Sequence, residues 1–471
     1  MKIKLVLILI MFSYGIGNAQ SVCGCKDALQ KIISKIETEY PGFELKTKDK
    51  ILYEAVKNKA MTSAENVKND EDCLEILKDY TGFFKDRHIW VLPNQTNQQK
   101  VSNNVALKPL KVNLEKFKRD IQKSKDGFEG IWENDSYEVG IKKINEKEYA
   151  GFIIKADPAY WKANEIKFKL FSDGSYEYYL PDHSIQKGTY KMEGNSLLYF
   201  NELRSFFIKK NPQSTMSPEE IENKKDEINE IFIKKISPKT VMIRLKYFSY
   251  SFVDQIEKLI EKNRGILEGA AFWIIDVRGN GGGTDDAYRS LLPYITTNPV
   301  RNVGAEYLAS TTLIQTSENY LKGISKDSIK NREDIKDLKA RIALLKKNQG
   351  KYVNYSTDKV TVSSIPHADK SPAQIVVLAD NKTGSAAENF LLKAKQSKKV
   401  KIMGIPSSGV LDYANAMFFD YGCNNFKLLM PTYRSFRLPV YPIDNIGIQP
   451  DVYLDETVED WITFAKEYLE N

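Results

Sequence analysis

The period of the hydrophobic positions changes twice along this chain of 471 residues. Between residues 20 and 120, apolar side chains recur every three or four positions. Ala28, Leu29, Ile32, Ile33 and Ile36 form one such run, Tyr53, Ala55 and Val56 begin a second, and Cys73, Leu74, Ile76, Leu77 and Tyr80 form a third. Spacing of this kind gathers them on one helix face and predicts an N-terminal helical domain. The third helix runs out into Phe83-Phe84-Lys85-Asp86-Arg87-His88-Ile89-Trp90-Val91. From 121 to 232 the segments become short and aromatic-rich: Gly130-Ile131-Trp132, then Tyr137–Val139, Tyr149–Ile154, Ile166–Phe171 and Tyr176–Leu180, divided by Gly, Asp and Asn. This is antiparallel patterning and predicts a β-rich middle domain, a small barrel or sandwich. Its Gly-x-Trp opening is reminiscent of lipocalin-like domains. Residues 212–230, rich in Glu and Lys, read as a polar linker.

From 233 to 471 the pattern is α/β. Val241–Leu245, Ala271–Asp276 and Ile375–Ala379 are nearly continuous apolar runs, as in strands covered on both faces, and Phe252–Lys262 is an amphipathic helix. Strands alternating with helices predict βαβ units. Residues 325–350 are charged, with Leu338, Ile342, Leu344 and Leu345 interspersed, and predict a solvated helical insertion within about 310–365.

The first 19 residues carry Lys2 and Lys4, an apolar run from Leu5 to Phe12, and small residues at Gly17 and Ala19. That order matches a signal peptide. The run is shorter than the roughly 20 residues of a membrane span. Ala19-Gln20-Ser21-Val22 ahead of Cys23 lacks the pattern of a lipid-attachment site. The expectation is an exported chain, periplasmic or extracellular, with no membrane span once processed. The formal net charge of +7 becomes +5 without Lys2 and Lys4, and no basic run is interleaved with aromatics, which argues against a nucleic-acid partner. In an exported chain the four cysteines are disulfide candidates. Cys23 or Cys25 with Cys73 is the expected pairing, and the distant Cys423 is a candidate free thiol. A Cys-x-Cys spacing and only three histidines, His88, His183 and His367, argue against a zinc site.

Two turns follow the buried strands. Asp276-Val277-Arg278-Gly279-Asn280-Gly281-Gly282-Gly283 presents bare backbone amides that a substrate carbonyl can approach closely. Neither a Gly-Lys-Ser/Thr nor a Gly-x-Gly-x-x-Gly register is present, so a phosphate loop is not indicated. Asp380-Asn381-Lys382-Thr383-Gly384-Ser385-Ala386-Ala387-Glu388 leaves a strand and enters a helix, placing Ser385 where helix amides and dipole favour an oxyanion. Alone, such a serine reads first as a helix cap.

Together these turns resemble the tail-specific, or C-terminal processing, peptidases of family S41, which pair an Asp-Leu-Arg-Asn-x-Gly-Gly turn with a Ser-Ala-Ser/Ala-Glu turn. Val400–Gly409 is similar to the family's next strand and glycine turn, and Gly447-Ile448-Gln449-Pro450-Asp451-Val452 to its closing Gly-Ile-x-Pro-Asp-Ile. The resemblance spans roughly residues 233–458. It implies a ClpP/crotonase-like α/β catalytic domain and a serine peptidase with Ser385 as nucleophile, needing no metal or cofactor and acting on polypeptides. It also implies an oxyanion hole built from the N–H of Gly282 or Gly283 and of Ala386, with Glu388 structural. The Ser–Lys members carry their lysine base 25 residues after the serine, where this chain has Val410. A tricorn-like branch instead takes a histidine from upstream and an acid from downstream. Asp86-Arg87-His88 resembles its Asp-x-His motif, and Asp444 stands where that branch carries an acidic residue, usually glutamate. The implied catalytic set is therefore Ser385, His88 and Asp444. No Gly-Leu-Gly-Phe-like carboxylate loop of a PDZ domain is present. Two rival readings rest on the same fold. One is a non-catalytic binder, as in the interphotoreceptor retinoid-binding proteins. The other is a crotonase-like acyl-CoA enzyme, which an exported chain has little means to supply.

Overall fold

The computed structural model describes residues 23–94, 109–325 and 332–471; the signal-peptide reading of residues 1–19 falls outside the described residues. The chain forms two compact units, residues 1–97 with 233–471, and residues 98–232. No helix among the described residues is long and apolar enough to cross a membrane.

In the first unit the three expected helices are Cys25–Glu39, Lys50–Ser63 and Asp70–Gly82. Asp49 and Asn69 open the second and third by accepting the N–H of Leu52 (2.9 Å) and Asp72 (2.8 Å), which satisfies amides the helix itself leaves unpaired. Their apolar stripes do not close a domain by themselves. Ala28, Leu29, Ile32 and Leu77 share one core with Tyr413, Phe426, Leu428 and Met430 from the far end of the chain. Strand Trp90–Pro93 pairs antiparallel with Phe426–Met430, so the segment after Asp86-Arg87-His88 is built into the C-terminal region. This pairing also corrects the cysteine reading. Cys25 pairs with Cys73 as one expected alternative, but Cys423 is not free: it bonds Cys23, 400 residues away. The Cys23 N–H donates to Asn425 Oδ1 at 2.9 Å, so the strand that pairs with Trp90–Pro93 carries Cys423 to the N-terminal segment.

The unit's main sheet has the order Ile231–Lys235, Thr240–Leu245, Phe272–Asp276, Gln374–Ala379, Val400–Gly404, Val452–Tyr453. The last five run parallel, with Asp276 level with Leu378 and Ala379 with Gly404. Ile274, Ile275, Val376, Val377 and Leu378 are fully buried, which is why these strands read as unbroken apolar runs. Parallel strands in register end on one edge, so the turns after Asp276 and Ala379 emerge side by side, where open α/β sheets place their ligands. The charged insertion folds as helices Thr311–Ile324 and Arg332–Lys347, which bury Leu313, Ile314 and Leu345 around Val353.

The second unit is a closed barrel, not a sandwich. Strands Gly130–Glu133, Glu138–Asn145, Glu148–Lys155, Ile166–Phe171, Ser175–Tyr179, Ile185–Glu193, Leu197–Phe200 and Ser205–Asn211 each pair antiparallel with the next, and the last returns to the first. Trp132, Phe168, Phe200 and Phe207 fill its interior. Helix Leu114–Ile121 belongs to this unit, packing Phe117 edge-on against Phe152, so the barrel unit begins before residue 121. The linker reading of residues 212–230 is also corrected. Helix Pro218–Ile228 lies there, started by Ser217 and Glu220 in a reciprocal capping box with Pro218 in the first turn.

Two lysines of the barrel, Lys167 and Lys209, break the apolar rule. Lys167 is fully buried, its ammonium donating to Tyr179 O at 2.7 Å and lying 4.1–4.4 Å from the ring centres of Tyr137, Trp161 and Tyr178. Burial pulls this amine down to about 7. An unfolded lysine holds its proton to about pH 10.4, so between about pH 7 and 10.4 the unfolded chain binds more protons and stability rises with pH. Lys167→Met is expected to raise the barrel's midpoint of thermal unfolding at pH 6 and to flatten its rise toward pH 9.5, followed by circular dichroism. An unchanged pH dependence would contradict this.

Candidate active site

Ser385 sits between strand Gln374–Ala379 and helix Ala386–Ala394. The turn leading to it is laced to the turn after Asp276. Asp380 Oδ1 accepts the Gly279 N–H at 2.8 Å, the Thr383 hydroxyl lies 3.1 Å from Val277 O, and the Gly384 N–H donates to Asn280 O at 2.9 Å. Ser385 itself has φ 53° and ψ −119°. For a residue with a Cβ this costs about 1–3 kcal/mol and persists only where the surroundings enforce it. Here they do. The fully buried Glu388 carboxylate accepts the Ser385 N–H (3.0 Å), the Ser407 hydroxyl (2.6 Å) and the N–H groups of Gly409 (2.7 Å) and Val410 (3.0 Å). Four donors explain how an anion tolerates that burial, and they bind the serine turn to the loop 407–410.

Position 410 lies beside the nucleophile turn. A Cβ placed on Gly384 would come within 2.9 Å of Val410 Cγ2. The side chain offered there is an isopropyl, which moves no proton. Lys427 stands on strand Phe426–Met430 with its ammonium 5.8 Å from the Phe418 ring centre.

Gly282, at φ 93°, is pressed against the serine: a Cβ there would lie 2.6 Å from Gly384 O, 2.7 Å from Ala386 N and 2.8 Å from Ser385 Cβ. Only glycine permits that approach. The Gly282 N–H, however, donates to Asn280 Oδ1 at 2.9 Å. Among the described residues the N–H groups of Gly283 and Ala386, like that of Gly281, meet no acceptor and remain free to donate. Gly283 is fixed by its neighbour, whose Thr284 N–H donates to Phe248 O at 2.8 Å. Ala386 is the first residue of its helix, at the positive end of the dipole.

His88 lies in the turn between helix Asp70–Gly82 and strand Trp90–Pro93. The buried Asp86 shapes that turn, with Oδ1 accepting the His88 N–H and Oδ2 the Tyr40 hydroxyl, both at 2.8 Å. Burial pushes the Asp86 carboxyl up from the usual carboxylate range. His88 Nδ1 is 3.9 Å from Asp86 Oδ1, too far for a hydrogen bond, and this buried nitrogen has no partner. The turn is tied through Ser408 to the Ser385 turn, with no hydrogen bond between His88 and Ser385 themselves among the described residues. Arg87 Nη1 donates to Ser408 Oγ at 2.7 Å, the Ser408 N–H donates to Thr383 O at 2.8 Å, and Asn445 Nδ2 donates to Lys85 O at 2.8 Å. His183 and His367 take no part: His183 sits in the barrel against Tyr160 O, and His367 lies in the irregular segment before Ala368.

Asp444 lies on the loop packed against Leu411 and Asp412, within electrostatic reach of Asp86. Its Oδ1 accepts the N–H groups of Leu411 (2.8 Å) and Asp412 (2.7 Å), and its own N–H donates to Asp412 Oδ2 at 2.8 Å. Asp412 is fully buried and paired with Arg437 at 3.1 Å. Burial, reinforced by the Asp86 and Asp412 carboxylates, pushes the Asp444 carboxyl up to about 8. Its neutral form is the one the fold favours. The stability it contributes is complete below about pH 4 and is lost as pH rises through 8. Asp444→Asn should therefore flatten the loss of stability between pH 5 and 9 in urea unfolding, and a slope equal to that of the native chain would count against this environment. Tyr40, Arg87, Ser408, Asp412 and Arg437 carry no motif of their own, and only the folded chain brings them to the site.

Residues 239–454 match the model of peptidase family S41, a segment that contains both turns and Asp444 but not His88. None of the curated proteins matches the chain. Among solved structures, mature CPAF is 13% identical, with 95% of this chain and 96% of that chain covered at a TM-score of 0.50. A putative peptidase from Parabacteroides merdae ATCC 43184 is 12% identical over 95% and 98%, at 0.44. The photosystem II D1 C-terminal processing protease is 12% identical over 92% and 94%, at 0.38. At such identities the likeness to mature CPAF speaks to fold, and the fold is the α/β peptidase domain expected from the sequence. The family match supports a peptidase acting on polypeptides.

Proposed function

We propose, from the premise of an S41 peptidase domain over residues 239–454, that this protein is an exported serine endopeptidase working through an acyl-enzyme on Ser385. The observation that carries the reading is Ser385 itself, locked at φ 53° at the head of a helix with Gly282 against its Cβ. A serine that merely capped the helix would take the ordinary extended conformation and need no such enforcement.

In the proposed reaction Ser385 Oγ attacks the scissile carbonyl carbon while His88 takes the hydroxyl proton. The carbonyl oxygen, now an oxyanion, receives the N–H groups of Gly283 and Ala386, each such donor being worth about 3 kcal/mol in the transition state. The C–N bond then breaks as His88 passes its proton to the leaving amine. Water attacks the ester, His88 accepts a proton from it, and that proton returns to Ser385 Oγ as the acid product departs. Asp444 orients the network from the loop whose Leu411 and Asp412 N–H groups it accepts. This is the tricorn-like solution, in which a remote histidine replaces the lysine that Val410 precludes. Export is supported by the Lys2-to-Ala19 sequence and by two disulfides, which persist in oxidising compartments.

The test is incubation of the purified mature chain with an unfolded protein substrate, with mass spectrometry of the new termini. Internal cleavages by the native chain and none by Ser385→Ala are expected. A native chain that cleaves nothing would favour the binder on the same fold.

A further inference from the structure

A cavity of about 800 Å³ lies on the flank of the helix that begins after Ser385. Its wall includes Asn389 and Lys393 of that helix, Asp285 two residues beyond Gly283, and Arg437, which holds Asp412 beneath Asp444. The wall is therefore continuous with both the oxyanion turn and the acidic end of the site. Asp285 ties the two sides together, accepting from Asn389 Nδ2 at 3.1 Å and from Lys393 Nζ at 3.2 Å. Asn389 is four residues past Ser385, about 6 Å along a helix, which an extended peptide covers in about two residues. A substrate that runs from Ser385 along this helix reaches the cavity with a side chain two or three positions from the scissile bond.

The charge of the wall is lopsided. Arg301, Lys393, Lys395 and Arg437 face one carboxylate, Asp285. Three of the cations are already paired, Lys393 with Asp285, Lys395 with Asp451 and Arg437 with Asp412. Arg301 is not: among the described residues no carboxylate pairs with it. Its backbone is nevertheless fixed, with its N–H donating to Gln396 Oε1 at 2.8 Å and its carbonyl accepting from Gln396 Nε2 at 3.0 Å. An unpaired guanidinium on a fixed backbone, above a floor that includes Val300 and Leu392, fits a carboxylate on a short aliphatic stem.

We infer that this cavity is a substrate subsite for an acidic side chain of the polypeptide, and that Arg301 determines that preference. The inference rests on the peptidase reading and names the kind of chain it cuts. Arg301 is exposed, so the discrimination it supplies is modest, about tenfold.

The test uses internally quenched peptides with amidated C-termini, so that no terminal carboxylate competes. Single positions two and three residues on either side of the cleaved bond carry Glu, Gln or Lys. The native chain is expected to favour Glu over Gln by about tenfold in kcat/KM at one of these positions, and Arg301→Glu to favour Lys there. Equal rates for the three peptides overturn the subsite and leave the peptidase intact. A second arm needs no catalysis. A fluorescent Glu peptide should bind Ser385→Ala more tightly than it binds the Ser385→Ala, Arg301→Glu double variant, by at least about fivefold in anisotropy titrations. Equal binding overturns the subsite whether or not the native chain cleaves anything.

Discussion

Ser385→Ala is expected to lower kcat on a peptide substrate by at least about 10⁴-fold and to leave KM within a few-fold of the native value. The hydroxyl is the only group removed that forms a bond to substrate in the proposed reaction. The surroundings that hold position 385 do not depend on it, because Glu388 grips the backbone N–H and Gly282 packs against the Cβ, both of which alanine retains. The residual rate would come from the Gly283 and Ala386 amides and from binding. A loss of only a few-fold, with circular dichroism unchanged, would mean that another residue is the nucleophile.

His88→Gln is expected to cost about 10³-fold or more in kcat with little change in KM. Without a base the serine hydroxyl is a weak nucleophile, and Val410 offers none. Glutamine roughly keeps the volume of the imidazole, and the bonds that anchor the turn come from Arg87, Lys85 and Asp86 and survive the change. Restoration of the rate by added imidazole would identify the missing group as a proton acceptor. Near-native kcat in His88→Gln would place the base elsewhere and remove the tricorn-like assignment.

The contrast between these two residues shows what the chain reveals locally. Ser385 is legible because its own motif is contiguous: a buried parallel strand, a Thr-Gly turn, and Glu388 one helical turn ahead, although Gly282 and the loop 407–410 that hold it lie far off in sequence. His88 is legible only as a motif. The link from its turn to the serine turn depends on Arg87 meeting Ser408, 321 residues later, and on strand Trp90–Pro93 finding Phe426–Met430, which no periodicity announces. The partner of Cys423 escapes the sequence for the same reason, since that strand pairing, not spacing, brings it to Cys23. Gly282 shows a finer limit. The close approach its glycine permits is to the Ser385 turn, and whether its N–H stays open depends on the Asn280 side chain, which folds back to take it. The barrel followed from aromatic alternation, whereas closure depends on the last strand, Ser205–Asn211, returning to the first. Helix Pro218–Ile228 was hidden by composition rather than distance. Its Ser-Pro-Glu-Glu start is a capping signature, but a helix that buries only Ile221 shows almost no apolar stripe.

The most direct measurement of the central claim is labelling with a fluorophosphonate probe, which reacts with a serine only when a base and an oxyanion hole activate it. The native chain should label, Ser385→Ala should not, and His88→Ala should label far more slowly. Labelling that vanishes in Ser385→Ala but is undiminished in His88→Ala would contradict the assigned base, and a native chain that never labels would contradict the enzyme.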